Sequence, residues 1–270
     1  MRIATFNIWN SPLNWTQRRY AIADEIKRIA ADFVLIQEAP IQAEAGLLTV
    51  DFLRTETDFT HAIHLEESLK PEDGEWPEGL AMLSECPLDN VKANWETGRD
   101  TANNWAMRVI ATWRGLTISL TNVHLDWKSE QGRQEEIVRI LEQLVEPADC
   151  DLDIIAGDFN DDSAITSFLE GRTAIAGKVT TWRDLVAEAC AAAGETVHPT
   201  LDPGSNPRWK DEEIKEEPRR FDRIYLRSNT EGARPIVVGS GIFGKEPRNR
   251  FGIVPSDHYG VYVDIEIPSS

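Results

Sequence analysis

The sequence predicts an α/β fold of two packed sheets with helices outside each. Three observations point to it: short apolar runs of strand length recur through the whole chain, segments of helical period interrupt them, and a polar residue closes most of the apolar runs. With 270 residues and 41% hydrophobic content, the chain buries one full core, so a single domain over 1–270 is expected.

Residues 2–8 alternate as a strand, and Ile22, Ile26 and Ile29 then recur at helical spacing through Thr16–Ala31. A second strand, FVLIQ at 33–37, ends at Glu38, and a weaker helical stretch near 42–53 leads to a strand at 60–65. Residues 66–78 are acidic and carry Pro71, Gly74 and Pro77, which marks a solvated surface loop. Strands follow at 80–84, 106–113 and 116–123, the last two joined by a tight turn at Arg114-Gly115. Ile137, Ile140, Leu141, Leu144 and Val145 mark one face of a helix over 130–145. DIIAG at 153–157 is a buried strand, Trp182–Ala193 is helical, and 198–219 is a long loop. Strands at 221–227, 234–240 and 259–267 finish the chain, with no internal repeat and no low-complexity linker.

Composition narrows the function. The formal charge of −18 gives a field that repels long polyanions. The charge is uneven, because Arg208–Arg250 holds eleven basic against eight acidic residues. Cys86, Cys150 and Cys190 form no CxxC pair, which points away from a zinc site or a disulfide framework and toward a reducing compartment. Without a leader-like start or an apolar span, the expectation is a cytoplasmic protein with no transmembrane segment, monomeric rather than oligomeric.

Polar groups recur at one structural position, directly after a strand: Asn7, Glu38, His124, Asp158 with Asn160, Asp222, and Asp257 with His258. Strand ends gathered at one edge of two sheets bring such residues into one cleft. The set is oxygen and imidazole without thiol, which favours Mg²⁺, or Mn²⁺, over zinc. Taken singly, an Asn or Asp after a strand is a turn residue or cap, as Asn7 or Asp161 would be alone. His61, His64 and His198 read as ordinary surface or half-buried residues, and Arg108 equally as a plain surface charge. The nine tryptophans read as mostly core or half-buried. Trp209, beside Arg208 in the long loop, is a candidate to stack on a base.

The segments TFNIW (5–9), LIQEA (35–39), NVHLD (122–126), AGDFND (156–161), RFDRIYL (220–226) and PSDHYGV (255–261), in that order, resemble the motif series of the endonuclease/exonuclease/phosphatase superfamily. GDFN, FDRI and SDHY are similar to its deoxyribonuclease I branch. RFDRIYLR with PSDHYGV is similar to its tyrosyl-DNA phosphodiesterase branch, and TFNIW to its magnesium sphingomyelinases. The resemblance implies a four-layer α/β/β/α sandwich of two mixed sheets with helices on both outer faces. It implies that Glu38 binds the metal, with Asn7 and Asp257 beside it. His124 and Asn160 would contact the phosphate, Asp158 would position or deprotonate the attacking water, and His258 would work with Asp222 as its carboxylate partner. The glutamate that partners the histidine matching His124 in deoxyribonuclease I has no recognisable counterpart; Glu66 and Glu67 lie in the right region without being assignable.

Three functions are compatible with the sequence. The first is hydrolysis of a phosphodiester, at a nucleic-acid end or adduct, with short single-stranded ends as substrate. The second is a phosphomonoesterase or a phospholipid phosphodiesterase on the same scaffold. The third is a catalytically silent binding module, against which the intact Glu38, Asp158, Asn160 and His258 argue.

Overall fold

Side chains that alternate along each strand separate two apolar environments, and that alternation builds the layers. The computed structural model describes residues 1–41, 48–66, 76–93, 105–145, 150–161, 163–171, 173–175, 178–210, 217–228, 235–247 and 249–268. With strands numbered in chain order, the first sheet runs β13 (Ile236–Phe243), β14 (Gly260–Glu266), β1 (Arg2–Asn7), β2 (Phe33–Pro40), β4 (Glu78–Ser84), β3 (His61–Glu66). The second runs β11 (Arg183–Asp184), β12 (Asp222–Ser228), β8 (Leu152–Asp158), β7 (Leu116–His124), β6 (Trp105–Trp113), β5 (Leu88–Ala93). Each is mixed: β1–β2 and β7–β8 are parallel pairs among antiparallel neighbours. A small ribbon pairs β9 (Thr173–Ile175) with β10 (Lys178–Thr180).

Ile3, Leu35, Leu120, Ile154 and Ile224 face the space between the sheets, in one buried cluster. Their sequence neighbours face outward. Ala4, Phe6, Val34 and Ile36 meet α1 (Trp15–Ile29) and α2 (Thr49–Thr57) through Ile22, Ile26, Val50 and Leu53. Val123, Ile155 and Tyr225 meet α3 (Glu130–Ile140), its π-helical continuation Leu141–Val145, and α4 (Ala164–Glu170). The result is the α/β/β/α order. Truncating a central intersheet residue such as Leu35 to Ala would cost about 2–5 kcal/mol, the usual range for a fully buried leucine.

Toward one end, the intersheet side chains turn polar two residues at a time: Ile3–Thr5–Asn7, Leu35–Gln37, Leu120–Asn122–His124, Ala156–Asp158. The first polar rung is a closed network. Gln37 Nε2 donates to Thr5 Oγ1 (3.0 Å) and Asn122 Oδ1 (2.6 Å), and Asn122 Nδ2 donates to the carbonyls of Ile36 and Ala81. Its buried groups are satisfied, so it fixes the two sheets against each other instead of weakening the core. The chain's first and last strands lie side by side, and the Met1 amino group donates to Ile265 O at 2.9 Å.

Several elements differ from expectation for local physical reasons. β2 continues past Glu38 to Pro40, because a bulge after Ile36 absorbs the irregularity. The helix expected from Trp182 starts later. Arg183–Asp184 pair with β12, and Asp184 caps α5 (Leu185–Ala193) by accepting from Ala187 N. α5 covers neither outer face; its Leu185, Val186 and Cys190 join the intersheet core. Arg108 is buried at 2% exposure with Nη2 against Cys150 Sγ, rather than a surface charge. The tryptophans with described side chains are buried or half-buried as expected, apart from Trp127 at 69% exposure. The turn at Arg114-Gly115 is as expected, with φ of 50° and 85°. The acidic stretch is outside the described residues over 67–75, Glu67 included, and the weak helix over 42–47. Of the long loop, 211–216 fall outside too. Among the described residues no helix is long and apolar enough to cross a membrane.

Candidate active site

Beyond the Gln37 network, the strand ends place Asn7, Glu38, His124, Asp158 and Asp222 around one hollow, and register explains why. Asp158 pairs with His124 on one side and Asp222 on the other, so three functional groups sit on adjacent strands at one level. β1 contributes Asn7 from the facing sheet: its Nδ2 donates to Glu38 Oε1 (2.8 Å) and to Asp158 Oδ2 (2.9 Å), crossing the gap. His258 precedes β14 and therefore enters beside Asn7. Its Nδ1 meets Asp222 Oδ2 at 2.9 Å, and its Nε2 lies 3.8 Å from Asp158 Oδ2. His124 Nε2 stands 3.8 Å from Glu38 and 3.9 Å from Asp158.

Backbone strain is concentrated here. Trp9, Glu38 and Asn160 hold left-handed φ values of 58°, 54° and 49°, a region costly for side chains with a Cβ. Each is held by specific bonds. Trp9 N donates to Asn7 Oδ1, Asn10 N to Glu38 Oε2, and Asn160 N to Asp158 Oδ1, while Asn160 Nδ2 donates to Leu125 O. The strain aims the Glu38 and Asn160 side chains at positions a regular strand or turn would not reach.

The long loop supports the far side. Thr200 Oγ1 accepts from the amides of Phe221 and Asp222, and Thr200 O accepts from Tyr259 N. Asn206 Nδ2 donates to the carbonyls of Ser256 and Asp257, which fixes the 3₁₀ turn Pro207–Trp209 against the site. Arg208 and Trp209 are thereby brought to its rim, with the Arg208 guanidinium 4.1 Å from the Trp9 ring and 4.9 Å from the Trp209 ring. Ser256 Oγ donates to Asn7 O, tying the last motif to the first.

Electrostatics divide the site. Burial pushes the Asp222 carboxyl above its usual range, a shift that contact with His258 opposes. Burial lowers His258, but Asp222, Asp158 and Asp257 outweigh it and hold the imidazole well above its ordinary 6.5. The pair keeps a shared proton through neutral pH. Asp257 is pushed up to about 6 by burial, against the pull of His258.

Two groups offer themselves for a metal. Asp158, Asp222 and His258 each bring a ligand atom within 4.8 Å of the others. A protonated imidazole has no lone pair to give, however, so this trio suits a proton better than a cation. The Glu38 side chain is the more open acid, 22% exposed against 1% for Asp158. Among the described residues each of its oxygens accepts one hydrogen bond, which leaves lone-pair capacity on both. Beside it the buried Asn10 Oδ1 has no hydrogen-bond partner among the described residues. This all-oxygen surrounding fits a hard divalent cation.

Thr200, Asn206, Ser256, Asn10, Trp9 and Arg18 were not singled out from sequence. Trp9 and Ser256 lie inside the motifs TFNIW and PSDHYGV and Asn10 directly follows the first, which is the available signal; Thr200, Asn206 and Arg18 act through main-chain bonds that leave no local signature. Glu66 ends β3, and its side chain lies outside the described residues.

The sequence profile of the Endonuclease/Exonuclease/phosphatase family matches residues 4–258, and the chain belongs to that family. It is therefore of the phosphoester hydrolase class, in the phosphodiesterase and nuclease line, whose enzymes generally depend on divalent metals. No curated protein matches the sequence. Similar solved structures include TDP2 of D. rerio complexed with a single-strand DNA product, at 22% identity and TM-score 0.72 over 98% of each chain. Truncated TDP2 of Caenorhabditis elegans is 17% identical with TM-score 0.66, over 97% of this chain and 95% of that one. An endonuclease/exonuclease/phosphatase from Bacteroides vulgatus is 18% identical with TM-score 0.67, over 99% and 98%. At these identities the likeness is one of fold.

Proposed function

We propose that the chain, acting as one domain, hydrolyses a phosphodiester at a nucleic-acid end or adduct, with Mg²⁺ (or Mn²⁺) as cofactor. The observation that carries this reading is the setting of Asp158: a buried carboxylate between His124 and His258, bonded to Asn7, which also holds Glu38. Glu38 would hold the metal, with Asn7 and Asp257 beside it. When bound, the ion supplies charge neutralisation at the phosphoryl oxygens.

The protein groups then have separate tasks. Asp158 orients a water and takes its proton as the new P–O bond forms opposite the ester oxygen that leaves. His258, cationic beside Asp222, and His124 donate to the oxygens that gain charge. One N–H of Asn160 is spent on Leu125 O, which fixes the amide so that its second N–H faces a phosphoryl oxygen. Arg208 and Trp209 form the rim for a nucleotide next to the scissile phosphate. The D. rerio TDP2 complex with a single-strand DNA product supports a nucleic-acid end as substrate, as do the local basic excess and the acidic remainder.

The test is a panel with Mg²⁺: a 5′-tyrosyl oligonucleotide, a chromogenic phosphodiester, a phosphomonoester and sphingomyelin. Turnover of the first two is expected. Turnover of sphingomyelin or the monoester alone would hand the case to the alternative hydrolase reading, and none at all to a silent binding module.

A further inference from the structure

Arg18 is a buried cation beside the cleft that the mechanism leaves without a task. It lies on the first turns of α1 and is 3% exposed. A guanidinium has five N–H bonds. Four contacts from Arg18 go to main-chain carbonyls: Nε to Pro255 O (2.9 Å), Nη1 to Ser11 O (2.9 Å), and Nη2 to Ile8 O (2.5 Å) and Trp9 O (2.8 Å). Three of these carbonyls belong to the strained loop after Asn7, whose Asn10 amide holds Glu38. The fourth begins the Pro255–His258 segment, 237 positions away. The Trp9 ring stacks on the same guanidinium at 4.4 Å.

We propose that Arg18 is a positioning residue for the metal-facing half of the cleft, one planar cation that fixes the Ile8–Ser11 loop and the Pro255–His258 segment in a single frame. The inference rests on the reading above for what the frame serves. Its physical basis is independent of that reading. Carbonyls from two distant segments converge on one buried plane, which only a rigid fork of donors can satisfy together; a lysine ammonium has three donors in another geometry. Burial lowers the guanidinium to about 10, while Asp257 and Glu38 favour its charged form, so it remains a cation at neutral pH. The charge faces the same two acids that would flank the metal.

The experiment compares the full-length parent, Arg18→Lys and a control, Arg227→Lys. Arg227 is another buried arginine, bonded to Asp153 at the opposite end of β12 from Asp222. Mn²⁺ affinity without substrate and amide hydrogen exchange are measured on each, with Tm as the reference for global stability. Arg18→Lys is expected to weaken Mn²⁺ binding about tenfold or more and to speed exchange in residues 8–11 and 256–259. Arg227→Lys, at a similar loss of Tm, should do neither. Parental Mn²⁺ affinity and parental exchange in Arg18→Lys would overturn the proposal, as would matching losses in the control. Should Arg18→Lys not fold, the Arg18 Nε–H resonance of the parent decides: a slowly exchanging signal that shifts on Mg²⁺ addition is expected, and one unmoved at saturation overturns it. If the parent binds no Mn²⁺, the metal reading fails, and the exchange comparison alone judges Arg18.

Discussion

The two halves of the cleft are built from similar residues and differ in their contact with water. On one side Asp222 is fully buried, His258 is 9% exposed, and the pair is joined at 2.9 Å. On the other, Glu38 and His124 are 22% and 13% exposed and stand 3.8 Å apart, with Glu38 tethered by an amide and a main-chain N–H. The dry half holds a proton in place; the wetter half leaves an acid with lone pairs where a hydrated ion can arrive. Asp158 lies between them and touches both.

Removing the metal should break the wetter half outright. Activity is expected to vanish in excess EDTA and return with Mg²⁺, measured as initial rate; full turnover under chelation would mean that Glu38 anchors no cation. The next largest effect belongs to the shared centre and the dry half. Asp158→Asn or His258→Ala should lower kcat by ~10²–10⁴-fold, the range for losing a general base or an electrostatic donor, with Tm near the parent's. A variant with parental kcat would remove that residue from the mechanism, and one that melts far earlier would mark it as structural.

A subtler change sharpens the contrast. Because the folded His258 titrates above its ordinary 6.5, the stability of its charge is fully present below that pH and is lost as pH rises through the raised value. Asp222→Asn removes the largest attraction and leaves burial opposed only by Asp158 and Asp257, so the alkaline fall in kcat should move down toward neutral pH. Superimposable profiles would show that another group titrates there. The smallest effect is expected at the rim. Arg208→Ala with Trp209→Ala should weaken binding of short single-stranded oligonucleotides by about tenfold, in line with ~1–3 kcal/mol for one stacked base, and should leave a small chromogenic phosphodiester unaffected. An equal loss on both substrates would place these residues elsewhere in function.

Much of the site can be read in sequence because each strand carries its own polarity switch: Ile3–Thr5–Asn7 and Ile154–Ala156–Asp158 show it without a structure. Some elements have no readable pattern. β5 has exposed Asp89, Asn90, Val91 and Lys92 in a row, so no alternation announced it, and a helix of the length of α4 is too short for a clear period. The bulge at Glu38 is written in backbone angles, with no residue in LIQEA to signal it. Arg18 and Asn206 escaped for a different reason: Asn206 bonds carbonyls about 50 residues away, and Arg18 joins its nearby loop to Pro255 O, 237 residues away, a relation that local reading cannot contain.

The pairing of the first strand with the last also sets a clock. Ser256, which holds the Asn7 carbonyl, is made 249 residues after it. At roughly 5–20 residues per second that delay is about ten to fifty seconds. During it a nascent chain has Asn7, Glu38, His124 and eventually Asp158, but no His258 and no β14 to seat β1 against. A cleft assembled from strands so far apart in sequence stays incomplete until β14 has been made.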